Sequence, residues 1–177
     1  MRNIFKYLNI KKWLARLNFW NKKSGGFTLV ETLVALVILT TALIPILTVS
    51  TSASRTSALI RDDLTASGLA QEGIEVVRAI RDTNWFNDRV FDFGLTAGTY
   101  ETEWNSTTLF SFDNNPPLNL NNGLYTYSGG TPTKFTRAIT ITKVNAGELK
   151  IVSQITWLAQ SNTLKSITAE EHLFDWK

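Results

Sequence analysis

Lys22-Lys23-Ser24-Gly25-Gly26-Phe27-Thr28-Leu29-Val30-Glu31 opens the stretch that decides the fold. From Phe27 to Val49 the only charge is Glu31, and the next charge is Arg55. As an α-helix, residues 27–49 rise about 35 Å, enough to cross a hydrocarbon core of roughly 30 Å. A secretory signal has a shorter apolar region, with its small-residue cleavage site after it. Here the pair Gly25-Gly26 comes first, so cleavage at the glycines would remove residues 1–26 and keep the hydrophobic helix. Gly26 has no side chain, which makes an extended, protease-accessible backbone cheap at that point.

On the N-terminal side, residues 1–26 hold seven basic side chains (Arg2, Lys6, Lys11, Lys12, Arg16, Lys22, Lys23) and no acidic one. The whole chain has 18 Lys and Arg against 15 Asp and Glu, so residues 27–177 keep 11 basic and 15 acidic groups, a net of −4. The basic character belongs to the tail. Basic residues beside an apolar span set membrane orientation, and a nucleic-acid-binding body is not implied. Ile4, Phe5, Leu8, Trp13, Leu14, Leu17 and Trp20 are spaced in roughly helical steps among those charges. An amphipathic helix on an anionic leaflet and a disordered basic tail both accommodate that pattern.

On the C-terminal side, residues 50–83 continue the helix with a different pattern. Ile60, Leu64, Leu69, Ile74, Val77 and Ile80 predict one packed stripe, with Arg61, Asp62, Glu72, Glu75, Arg78, Arg81 and Asp82 on the other side. Pro45 lacks a backbone donor and is expected to kink or loosen the membrane half, with Gly68 and Gly73 as weaker soft points.

Residues 84–177 read as a β-rich domain. Thr99–Trp104 and Leu124–Ser128 are short strand candidates. Phe135–Val144, Glu148–Leu158 and Thr163–Phe174 alternate, with turns at Asn145-Ala146-Gly147 and Ser161-Asn162. Three such runs predict an antiparallel meander. Residues 84–123, rich in Asn, Asp, Thr and Gly with Pro116-Pro117, predict a long loop containing a strand or two.

Other chemistry is thin. The chain has no cysteine, which excludes disulfides, thiolate metal sites and a cysteine nucleophile, and leaves the redox compartment open. His172, beside Glu170 and Glu171, reads as a surface histidine. Asp82, Asn84 and Asp88 lack the Gly and bidentate Glu of a calcium loop. Asp92-Phe93-Gly94 reads as a turn, because no Gly-rich or catalytic loop accompanies it. Asn105-Ser106-Thr107 is a formal glycosylation sequon. Trp85, Phe86, Phe91, Phe93 and Trp104 are expected to pack in the core, with a partner or sugar surface as the other reading. No cofactor or metal site is expected.

The basic leader, Gly26, Phe27 and a Glu five residues into the shortened chain resemble the class III signal of type IV prepilins and pseudopilins. The resemblance in sequence covers mainly residues 22–50. Ala70-Gln71-Glu72-Gly73-Ile74-Glu75-Val76-Val77-Arg78 and Ile155-Thr156-Trp157 are similar to PilV-type minor pilins. The resemblance implies an α+β, pilin-like fold in which the long N-terminal helix packs on an antiparallel sheet of about four strands. It implies a structural subunit with no catalysis of its own. Prepilin peptidase would cut between Gly26 and Phe27 and methylate the new amine at Phe27. The subunit would sit in the inner membrane by a single pass, engage an assembly platform, and join other pilins or pseudopilins through its helix, with the globular domain extracytoplasmic. A type II secretion pseudopilin, a tip-located adhesin or DNA-binding minor pilin, and a membrane-tethered enzyme or sensor that never polymerises are the alternatives. The acidic body counts against DNA, and Glu31 counts against the tip-most pseudopilin, which lacks that residue.

Glu31 needs a physical reason. An acidic residue at the centre of a membrane helix costs roughly 2.5–3.5 kcal/mol on insertion scales, and less at shallow depth. The amine created at Phe27 lies four positions away and is expected on the same helical face. The resemblance implies instead that the amine pairs with Glu31 of a neighbouring subunit, which would set axial register because an unpaired buried charge penalises every other offset. Thr28, Thr32, Thr40 and Thr41 can return their hydroxyls to helix carbonyls, so they do not oppose burial in lipid.

Overall fold

The computed structural model describes residues 25–159 and 162–177. The amphipathic reading of residues 1–24 and the Ser161 end of the last turn lie outside that range. The chain divides into two units, Met1–Thr51 and Ser52–Lys177, and one helix contributes to both. That helix, α1 (Leu29–Phe86), runs without interruption through Pro45. Thr32, Thr40 and Thr41 donate their hydroxyls to the carbonyls of Leu29, Val37 and Ile38, as do Thr48 and Thr51 to carbonyls one turn back. Every residue from Gly25 to Ser57 is exposed within its unit.

In the second unit, α1 packs on an antiparallel sheet. The strands are β1 (Gly98–Glu101), β2 (Phe110–Ser111), β3 (Pro117–Asn121), β4 (Leu124–Thr126), β5 (Thr131–Asn145), β6 (Glu148–Leu158) and β7 (Leu164–Phe174). β5 is the hub: β6 pairs along one edge and carries β7, while β1 and β3 share the other edge. β2 extends β1, and β4 extends β3. The α+β, pilin-like architecture is the expected one, but the sheet has seven strands where about four were expected. Residues 84–123, read as a long loop with a strand or two, contain β1, which answers to the Thr99–Trp104 candidate, together with β2 and β3, which no candidate run covers. These strands are short and gain their order by pairing with β5 or with each other, a stabilisation that local alternation does not reveal.

β5 also starts four residues earlier than its alternation predicts. Its first residues, Thr131 and Pro132, are opposite Leu120 and Asn119 of β3. Asn122 and Gly123, both with positive φ (50° and 85°), make the tight β3–β4 turn. Asn-Gly suits that turn because both central residues of such a hairpin take left-handed conformations. At the β5–β6 turn, Gly147 donates its N–H to Asn145 Oδ1 at 2.9 Å, an Asx-type turn.

The helix stripe is shifted from the expected one. Ala66, Leu69, Ala70, Gly73, Ile74, Val76, Val77 and Ile80 are buried, whereas Ile60 and Leu64 stay 53% and 68% exposed. The core has two clusters. One joins Ala66, Leu69 and Ala70 to Leu118, Phe135, Ile155 and Trp157. The other joins Ile74, Val77 and Ile80 to Ile139, Ile141, Leu149, Ile151 and Leu173. Between them in sequence order fall Gly73 on α1, Arg137 on β5 and Ser153 on β6, all buried.

The expected charged face also differs. Asp62 pairs with Lys134 at 2.5 Å, Asp63 with Lys165 at 3.4 Å, and Glu72 with Arg137 at 2.7 Å. Arg78 reaches Glu171 on β7 as well as Glu75 on its own helix. The hydrogen bond to Glu171 raises the Arg78 pKa further above its ordinary value. These residues flank the apolar stripe and tie it to the sheet.

Candidate functional site

The candidate site is the start of α1. Gly25 and Gly26 lie outside the helix, exposed, and, chain neighbours aside, no described residue comes within 4 Å of where a Cβ would be on either. Phe27 and Thr28 also precede the first helical residue, Leu29. Thr28 is the N-cap. Its carbonyl accepts the Thr32 N–H at 3.1 Å, and its Oγ1 accepts the Glu31 N–H at 3.2 Å. Thr28-Leu29-Val30-Glu31 therefore has the Thr-x-x-Glu spacing of a capping box, with the threonine half of the exchange made. The Thr28 hydroxyl accepts from the backbone at the cap and does not return to a carbonyl, unlike that of the other three threonines.

This cap changes the reading of Glu31. Its carboxylate sits in the first turn, where unsatisfied N–H groups give the helix a partial positive charge; an acidic side chain there is worth about 0.3–1 kcal/mol. Phe27 stands one residue before the cap, so Phe27 and Glu31 are not one helical turn apart inside α1. The structure places Gly26, Phe27 and Glu31 within one short capped segment, and Pro45 in the interior of the helix beyond it.

The other sequence candidates have structural roles. His172 is exposed on β7, with Nδ1 at 2.7 Å from Glu148 Oε1. Its neighbour Glu170 titrates below the ordinary carboxylate range because Lys150 holds it by a hydrogen bond. Asp82 pairs with Arg81 at 2.8 Å, and buried Asn84 donates to the carbonyls of Phe91 and Phe93. Asp92-Phe93-Gly94 is a turn in which Asp92 pairs with Lys143 at 2.6 Å. In the sequon, Ser106 Oγ accepts the Glu103 N–H at 2.7 Å. Of the five aromatics expected in the core, Phe91 is buried and Trp85 packs partly against it. Phe86, Phe93 and Trp104 are 87%, 53% and 47% exposed.

Arg137 is the residue that sequence reasoning missed. It is fully buried. Its guanidinium donates to Glu72 Oε1 at 2.7 Å, to the carbonyl of Leu69 at 3.3 Å, and to the carbonyl of Thr102. Tyr127 donates its hydroxyl to the Arg137 carbonyl at 3.3 Å, and burial pushes that phenol up to about 12. The signal was available in the alternation Phe135, Arg137, Ile139, Ile141, which places an arginine on the inward face. An inward charge requires a partner, and Glu72 lies three residues after Leu69 on the packed stripe.

Residues 21–47 match a family model described as the prokaryotic N-terminal methylation motif. No curated protein and no solved structure matches the chain. α1 is long and apolar enough to cross a membrane. A methylation motif laid over the exposed glycines, the threonine cap and Glu31, and continuing into that apolar helix, fits a type IV prepilin-like protein, membrane-anchored and processed by prepilin peptidase.

Proposed function

We propose that the chain is a minor pilin or pseudopilin, cut between Gly26 and Phe27, methylated on the Phe27 amine, and assembled through residues 27–49. The supporting observation is the order of parts at the start of α1: exposed, non-helical glycines, then Phe27, then a capped helix with Glu31 in its first turn. A peptidase needs an accessible substrate outside regular structure, and Gly26 and Phe27 are exposed and precede the helix. The cut would free a cation beside a helix N-terminus, an unfavourable place for positive charge that Glu31 offsets, whether in the same chain or in a neighbour. The protein then works as a structural part and not as an enzyme. It resides first as a single-pass inner-membrane protein and afterwards in the filament. The PilV-like reading of residues 70–78 stays within this proposal; Glu72 in that stretch is the partner of buried Arg137.

Glu31→Ala tests the reading. Cleavage should proceed, since the glycines and Phe27 are untouched, while methylation or incorporation into sheared filaments falls by about tenfold or more, the equivalent of one uncompensated charge. Mass spectrometry of Phe27 and immunoblots of the filament fraction read both outcomes. Normal methylation together with normal incorporation would remove Glu31 from the mechanism.

A further inference from the structure

The end of α1 closes around an open cavity of about 310 Å³, walled by Trp85, Asp88, Arg89, Phe91, Asp175 and Lys177. The helix ends there in a Schellman motif: Asp88 donates its N–H to the Trp85 carbonyl at 3.2 Å, and Arg89 to the Asn84 carbonyl at 2.9 Å. The residue after such a cap is usually glycine because it must take positive φ. Here it is Asp88, at φ 54°. A left-handed aspartate is less favourable than glycine. The Asp88 carboxylate makes no hydrogen bond or ion pair with the described residues that would offset that cost, and neither does that of Asp175. Arg89 lies over the Phe93 ring at 4.8 Å and makes no ion pair with the described residues. Lys177 donates to the Trp85 carbonyl at 2.9 Å and has further N–H groups to give. Trp176, 72% exposed, meets Trp85 edge to face at 4.7 Å between centroids.

These walls restrict the ligand. The lining side chains bring two carboxylates and two cations, so an anion meets Asp88 and Asp175 and a cation meets Arg89 and Lys177. The carboxylates only accept hydrogen bonds, and the cations only donate them. A hydroxyl does both. The Trp85 ring is already taken by the Arg81 guanidinium at 4.6 Å and by Trp176, so the exposed apolar wall is Val90. A neutral molecule bearing several hydroxyls and one apolar face would meet all four groups and rest on Val90 beside Trp85. We propose that this cavity binds a neutral sugar residue of a glycan. The inference goes beyond the subunit role and does not depend on polymerisation.

The test uses the full chain in a detergent without a sugar headgroup. The probes are the methyl glycosides of glucose, galactose, mannose and N-acetylglucosamine, followed by saturation-transfer NMR and tryptophan emission. At least one glycoside should bind saturably, shift the tryptophan emission, and bind about tenfold or more weakly to Asp175→Asn, which weakens a charge-assisted acceptor. Asp88→Gly keeps the backbone conformation, so it should raise Tm while weakening the sugar by a similar factor. No saturable binding of any of the four at millimolar concentration would overturn the proposal. Binding left unchanged by both substitutions, or displaced by acetate or methylammonium rather than by a second glycoside, would overturn it as well.

Discussion

At Gly73 α1 comes close to the sheet: a Cβ there would lie 2.5 Å from Ser153 Oγ and 2.6 Å from Ile139 Cδ1. Read from the sequence, Gly73 and Gly68 are equivalent weak points in a helix. In the fold they are opposites, because Gly68 is exposed and its Cβ would meet nothing within 4 Å. Gly68→Ala should stabilise the second unit by about 0.5–1 kcal/mol, the ordinary helix preference of alanine. Gly73→Ala gains the same preference but overpacks the core at a cost of about 1–3 kcal/mol, so a net loss is expected. Thermal unfolding of the two variants side by side decides it; equal shifts of the same sign would mean that the helix does not lie this close to β5 and β6. The difference was invisible in sequence because it depends on which glycine faces Ser153, a contact made across 80 residues of chain. Thr28, by contrast, was legible in principle, since its spacing to Glu31 is a capping box.

Among the elements, α1 and the meander β5–β6–β7 were readable because each is long and repeats at its own period. The first half of the domain was legible only in part: Thr99–Trp104 and Leu124–Ser128 mark β1 and β4, while β2, with two residues, and β3 were not singled out. Asn122-Gly123, between Leu120 and Leu124, was the signal that could have revealed the β3–β4 hairpin. The helix was harder to place in rotation than in extent. Ile60 and Leu64 continue the apolar spacing past the end of the packed stripe, while Glu72 and Arg81, counted with the outer face, border or enter the core. The Glu72–Arg137 link tests this placement. Glu72→Gln leaves a buried guanidinium with a weaker acceptor and should cost about 1–3 kcal/mol, nearer the lower value because Glu72 is 31% exposed on its side chain. Adding Arg137→Met removes the stranded charge, so the double variant should lose less than the sum of the two single losses. Strict additivity in thermal unfolding would mean that the two side chains do not act together.

For the whole molecule, the two ends of the charge distribution have different fates in the proposed reading. A tail with seven basic groups and no acidic one precedes Phe27, and the remainder carries a net of −4. The tail would hold the N-terminal side at an anionic leaflet until it is removed, and removal leaves an acidic subunit whose apolar helix no longer carries a basic anchor. The exposed apolar surface of residues 27–49 is then the part of the chain that needs either lipid or other helices around it. All of this depends on one bond. The direct measurement is the mass of the N-terminal peptide of the protein recovered from cells with and without an active prepilin peptidase. The account predicts a chain beginning at Phe27, heavier by one methyl group, when the peptidase is present, and an intact leader when it is absent. A chain that keeps residues 1–26 in the presence of the peptidase would contradict it.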